Sequence, residues 1–561
     1  MRAHVEPLAR VAALAAMVAG CGAAKGTSVA ATGGATDDAG TLDAMTSDSS
    51  LSGDPSRCLA ATKSRSSIGC EYWAVDMDGI AAANGGCFVA FVANNSDTNV
   101  HFDVRFLDEP ADLAAHARIP KGAGKKLTYD AFDPAKGLAP GQVAIIFLAG
   151  LASTKPWTPG DFTDPVACPV GPIRTSLAQQ SGTGIGTAFH IQSDAPVVAY
   201  QMLPYGGGAA AVTGASLLIP TSAWDTNYVA VNAYGGQVSS MNIVASQDDT
   251  TVTLLPKVSV VGAGAVPSTP AGSPLVVKLQ HGQHLQLTQA DELTGSPIES
   301  DKPIGLFAGQ PCLNVPSHIN YCDHAEQSIP PIRAMGSEHV AVIHRDRTAK
   351  PENPPWRIVG AVDGTTLTFD PPIAGAPTSA NLGDVLEFRS GGVAFVVRSQ
   401  DDAHPFFLNG YMTGADDVLA AGSEGGYGDA DFVRVVPSAQ WLSNYVFFTD
   451  PTYPETNLVV TRKKGGPDVT LDCAGVLGGW SDVGGGRYEY ARVDLVRHDF
   501  QPQGGCDNGA HGMRSSGPFG LTIWGWGTPE TSTYTSYVSY GYPAGENLAP
   551  LNTVYVPARP K

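Results

Sequence analysis

Four groups of side chains in this sequence have the types and spacing to do chemistry, and each points to a different ligand. Cys312, His318, Cys322 and His324 together offer two sulfurs and two imidazoles, a zinc-type donor set. Their spacing fits no familiar zinc finger, and two cysteines that bracket a short loop can instead oxidise to one another. The acidic pairs Asp76 and Asp78, Asp248 and Asp249, and Asp401 and Asp402 lie at predicted turns, where carboxylate oxygens could ligate calcium. Short acids at turns more commonly bond the turn backbone itself, so neither set makes a metal an expectation. His344, Arg345, Asp346 and Arg347 follow a predicted strand directly, at the kind of loop that could meet a ligand. Trp524, Trp526, Tyr534, Tyr537, Tyr540 and Tyr542 crowd one stretch and suggest either cross-strand packing or a face on which sugars stack.

The signatures of catalysis are missing. The chain has no G-x-S-x-G elbow, no H-E-x-x-H, no phosphate-binding P-loop and no strand-linked G-x-G-x-x-G. We therefore expect no catalytic residue, no enzyme activity and no cofactor. A formal charge of −19 and the lack of any basic run beyond Arg462-Lys463-Lys464 exclude a nucleic-acid partner.

The elements that would position these groups begin with an address. Arg2 and Arg10 flank the start of an apolar run, Val11 to Ala19, too short to span a bilayer, which ends in Val18-Ala19-Gly20-Cys21. That ending resembles a bacterial lipobox, so residues 1–21 are read as a lipoprotein signal with Cys21 as the lipidated residue and the membrane anchor. Residues 22–56 are Gly, Ala, Ser, Thr and Asp with almost no large apolar side chain, a disordered tether reaching on the order of 30 Å. Gly22 in place of an aspartate points to the outer membrane and the cell surface.

Residues 57–561 form the body. Hydrophobic residues make up 43% of the chain, enough for a large core, while 65 glycines and 42 prolines are dispersed as punctuation between short strands. Eight cysteines remain besides Cys21, an even number that reads as disulfides outside the cytoplasm. Cys312 with Cys322 and Cys473 with Cys506 are the expected bridges; Cys58, Cys70, Cys87 and Cys168 can pair in three ways.

Four short motifs recur along this body. The first is an aromatic or His opening a strand, at Tyr72, Tyr228, His339 and Tyr445. The second is a β-branched alternation beginning near Asn99, Thr251, Thr366 and Asp468. The third is a polar turn closed by proline, at Ser193 to Pro196, Ser300 to Pro303, Asp401 to Pro405 and Ser515 to Pro518. The fourth is an aliphatic residue before proline, at Ile219, Ile329, Val436 and Val556. Together they predict an all-β body of four repeats of about 100 residues, closed head to tail as a seven- or eight-bladed β-propeller, with the strand near Trp73 completing the last blade. Tandem β-sandwiches are the alternative.

The phrases Gly69-Cys70-Glu71-Tyr72-Trp73-Ala74-Val75-Asp76, Phe189 to Tyr200 and Ile298 to Phe307 are similar to recurring phrases of the IgGFc-binding protein N-terminal domain family, found in animal mucus proteins and in myxobacterial lipoproteins. The likeness covers about residues 69 to 415. It implies a non-catalytic extracellular module that binds a protein or a polysaccharide, for example in adhesion. The rivals are a secreted enzyme with its site at a propeller axis and a structural envelope component.

Overall fold

The computed structural model describes residues 55–80, 84–151, 167–206, 212–419, 425–530 and 536–560. The signal, Cys21 and nearly all of the tether lie outside the described residues. Within the body the fold is all-β, with α-helix limited among the described residues to Pro55–Ser64 and Leu113–His116. The first helix occupies the start of the body, where no helix was expected; Cys58 within it is bridged to Cys70.

Four sheet sets follow one another along the chain: nine strands, then eight, then a three- and a four-stranded pair with a small two-stranded ribbon, then nine again. In three of them a single long strand, Phe189–Leu203, Pro297–Leu313 or Gly509–Trp526, runs through the whole set. In the second set its first half pairs with Asp225–Val229 and Thr250–Leu254, and its second half with Ser239–Ala245 and Asp323–Ile329. The two halves therefore belong to one bent sheet folded over its own apolar side. The separate four-stranded blades of a propeller are not what these sheets describe, because a strand shared by both halves cannot also divide them.

The Pro-closed motif is the bend itself. Ser193 to Pro196, Ser300 to Pro303 and Ser515 to Pro518 all lie inside the long strands, where a turn between strands was expected. Proline withholds an N–H from the ladder, and the neighbouring strand skips register opposite the bend, between Gly69 and Glu71, Asp225 and Asn227, and Leu442 and Asn444. Serine supports the kink locally, since Ser193 Oγ donates to Ala195 O at 2.8 Å and Ser300 Oγ to Lys302 O at 2.7 Å. The adjacent acid ties it to the second motif: Asp194 accepts from His101 N and Asp301 from Thr251 N, each at 2.8 Å. In the third set the strand is interrupted here, between Phe395–Arg398 and Phe406–Met412, and Gln400 takes the acid's role toward Thr366 N.

The sets close on one another through their last strands, Gly214–Leu217, Asp323–Ile329, Asp431–Arg434 and Ser539–Pro543. The first packs against the second and the fourth, and the third against the same two, so they form a ring. Gln327 Nε2 spans it, donating to Ala215 O at 3.1 Å and Gly541 O at 2.8 Å. Shared cores back the ring. Phe91 meets Phe448 and Tyr200 meets Tyr542 between the first and fourth sets, while Tyr411 donates to Ala233 O across the second and third.

After the last ring strand the chain turns back across one end of the ring. Ser67 N donates to Glu546 O, Asn547 N to Gln440 O, Leu551 N to Arg333 O, and Val556 N to Asn227 Oδ1. Trp73 completes no terminal blade: its strand, Ile68–Ala74, pairs with Phe189–Leu203 of its own set, and the chain ends meet just before it, at Ser66 and Asn547. Val556-Pro557 also departs from its expected place. The other three motifs lie within a few residues of the end of a ring strand, whereas Val556 sits in the apolar core of the second set.

Candidate binding surface

The ring strands begin near one another, because Asp323 Oδ1 accepts from Thr213 N and Asp323 Oδ2 from Ser539 N and Oγ, all within 2.9 Å. They therefore run the same way, and a seven-residue strand carries the chain about 20 Å from this end to the other. The far end carries the crossing C-terminal segment, and helix Pro55–Ser64 lies there too, since Leu548 N donates to Arg65 O at 2.7 Å. The near end carries loops.

Its most constrained loop precedes Asp323. Cys312 and Cys322 are bonded to one another, Asn314 N donates to Gln237 Oε1, and Gly414 N donates to Val315 O. Tyr321, next to the bridge, has φ +67° and is 51% exposed, and its ring lies 4.6 Å from that of Tyr537, itself at φ +58°. Left-handed backbone is uncommon for a bulky side chain and gathers at functional loops. Tyr537 was singled out in the aromatic stretch but Tyr321 was missed; its signal was the tyrosine abutting Cys322 after Asn320. Beside the bridge, Asp78, Asn84, Ser181, Thr288, Val238 and Pro311 line a groove of about 520 Å³.

The zinc-type set does not assemble. Cys312 and Cys322 are spent on their disulfide, His318 is exposed, and His324 is buried 3.7 Å from Glu326. Cys473 is likewise bonded to Cys506, and Cys87 to Cys168. Asp472, Cys473 and His511 are the one trio among the described residues with metal-like proximity, yet that sulfur is oxidised and Asp472 already bonds His511 at 3.1 Å. The acidic pairs separate. Asp76 and Asp78 are both buried, at 3% and 4% exposed, and Asp78 is the one that borders the groove. Asp401 serves its own turn, accepting from Ala403 N and His404, while Asp248 accepts from His281 N, Asp249 from Gln280 Nε2 and Asp402 from Ser337 Oγ, each on a segment distant in sequence.

The His344 to Arg347 cluster is a clamp within the protein. His344 is buried against Trp524 and Trp526, and burial pulls its imidazole down to about 4. Arg345 covers the Trp526 ring and pairs with Glu455 and Asp494 of the fourth set. Arg347 pairs with Glu352 at 2.9 Å, both side chains sealed from water, and Asp346 accepts from Glu352 N. Four residues of the aromatic stretch are core as well, whereas Tyr537 is part-exposed beside Tyr321. Trp524, Trp526, Tyr540 and Tyr542 are at most 2% exposed, so they offer no stacking face; Tyr534 lies outside the described residues.

Acids do gather around the ring. Asp76, Asp323, Glu326, Asp429 and Asp431 are each at most 3% exposed. Burial raises all five, and Asp429 reaches about 8. Glu326 accepts from Gln201 Nε2 at 2.6 Å, and Asp323 from three ring donors. All five are sealed from solvent and form no open funnel, and Asp323 and Glu326 bond across the ring.

The described residues thus form bent sheets that meet in a ring, with clamped loops at one end. The family described as IgGFc binding protein matches residues 214–525, more than half the chain, and the chain belongs to that family. Human IgGFc-binding protein is 27% identical over 293 residues, covering 51% of this chain and 5% of that protein. The chain thus spans a small fraction of that relative's length.

Proposed function

We propose that this protein is a non-catalytic binding lipoprotein, held to the outer membrane through Cys21 and the 22–56 tether, that presents the loop end of its ring to an extracellular protein. The observation that carries this reading is polarity. Residues leading to the tether lie at the end crossed by the C-terminal segment, while the strained, exposed Tyr321 and its disulfide-clamped loop lie at the other. A tether at one end leaves the other facing outward. The human relative is named for binding IgG Fc, and what we take from that name is only the class of ligand, a folded protein. We also read the four sheet sets as copies of one ancestral unit, supported by the matching register skips opposite three of the bends.

A photo-crosslinking amino acid placed at position 321, and separately at the exposed Tyr555, tests the reading on cells that display the protein. Position 321 should capture a foreign protein that position 555 does not. Equal capture at both positions overturns the reading, and capture of further copies of this chain alone favours a structural envelope component.

A further inference from the structure

The groove beside the Cys312–Cys322 bridge has one charged side chain in its lining, Asp78. A closed circuit of hydrogen bonds holds that carboxylate. Asp78 N donates to Gln286 Oε1 at 3.1 Å, Gln286 Nε2 donates to Gly182 O at 2.8 Å, and Gly182 N donates to Asp78 Oδ2 at 2.9 Å. Gln286 is fully buried, so the circuit is anchored in the second sheet set while it positions an acid on the first. Among the described residues Asp78 has no lysine or arginine partner. Burial raises its pKa, against the lowering effect of hydrogen bonds from Gly182 N, Thr288 and Gly79 N and of the nearby His324. Ile80, Val238 and Pro311 supply apolar wall, and Val238 is 49% exposed.

A fixed carboxylate beside apolar walls, with no lysine or arginine paired to it among the described residues, suits one kind of occupant. A lysine or arginine side chain carries a charged head on an aliphatic stem, and a chain of net charge −19 attracts basic partners. We propose that this groove takes a lysine or arginine side chain of the partner protein, with its charged head at Asp78 and its stem along Ile80, Val238 and Pro311. The proposal rests on the protein-binding reading above and names the anchor within it.

Acetyl-arginine amide and acetyl-lysine amide, titrated against the full chain and followed by NMR or calorimetry, are the probes. At least one should bind saturably and more weakly as salt rises, with acetyl-norleucine amide at least tenfold weaker. Asp78→Asn keeps an acceptor for Gly182 N and should lose at least tenfold in affinity for the basic amide. Val238→Trp, at a half-exposed position, should block the groove without touching the circuit. Undiminished binding to Asp78→Asn, equal binding of the norleucine amide, or binding of methyl glycosides in place of the basic amides overturns the proposal. If position 321 still captures its partner while Asp78→Asn is silent in both assays, the surface stands and the anchor falls.

Discussion

The Tyr228 hydroxyl donates to Ile304 O at 2.6 Å and accepts from Asp225 N at 3.1 Å, bridging both sides of the register skip opposite the bend. Tyr72 does the same between Val197 O and Gly69 N, and Tyr445 between Phe519 O and Leu442 N. In the third set His339 reaches Phe406 O and Val435 O. The first and third sequence motifs are thus two halves of one fastening. Tyr228→Phe leaves a buried N–H and a buried carbonyl without this partner, and should lower the unfolding free energy by about 1–3 kcal/mol in urea titration.

Alkaline pH should loosen the ring. Burial lifts Asp429 to about 8 and Asp450 to about 7, above their ordinary value of 3.8. Between these limits the folded state binds more protons than the unfolded state, so stability falls as pH rises through the window. His284, His339 and His344, drawn down to about 4 by burial, act in the opposite sense, but only below their ordinary 6.5. Above pH 6.5 the acids act without them. The urea midpoint should therefore decline from pH 6.5 to 9, and Asp450→Asn should flatten that decline; a midpoint that rises over this range would contradict the assignment.

Arg434 and Glu546 pair at 2.6 Å with both side chains sealed from water, joining a ring strand to the crossing segment. Glu546→Gln removes the charge that compensates the guanidinium and should cost about 3–5 kcal/mol. Replacing both residues by apolar ones of similar size should recover most of that loss. Thermal unfolding of the single and double variants separates the cost of a stranded charge from the contribution of the pair.

The disulfides should differ in what they contribute. Cys87–Cys168 closes a separation of 81 residues and Cys312–Cys322 one of 10. By loop-closure entropy the first should contribute about 4 kcal/mol and the second about 3 kcal/mol. Alanine pairs compared in denaturant should show that order. The Cys312–Cys322 pair should also change capture at position 321, which the other pair should leave intact.

The sequence made the strands, the motifs and their rough period legible, because alternation and proline placement are local properties. It misled where a local signal has two tertiary meanings. Ser300 to Pro303 reads as a turn, yet the ladder continues on both sides, and at the bend Ser300 Oγ donates to Lys302 O while Asp301 accepts from Thr251 N. Trp524 and Trp526 read equally as a sugar platform or as core, and only the neighbouring set, through His344 and Arg345, decides for core. The groove at Asp78 was half visible: the acid was singled out, but Gln286 lies 208 residues away and nothing local links the two.

The bond from Glu546 N to Ser67 Oγ spans 479 residues. During synthesis the first sheet set must wait with that hydroxyl unmatched until residue 546 has followed. Contacts of such long separation form late and slow folding. Ring closure is therefore tied to the arrival of residue 546: a chain cut short before the fourth set would leave the part of the core that the first set shares with it open to water.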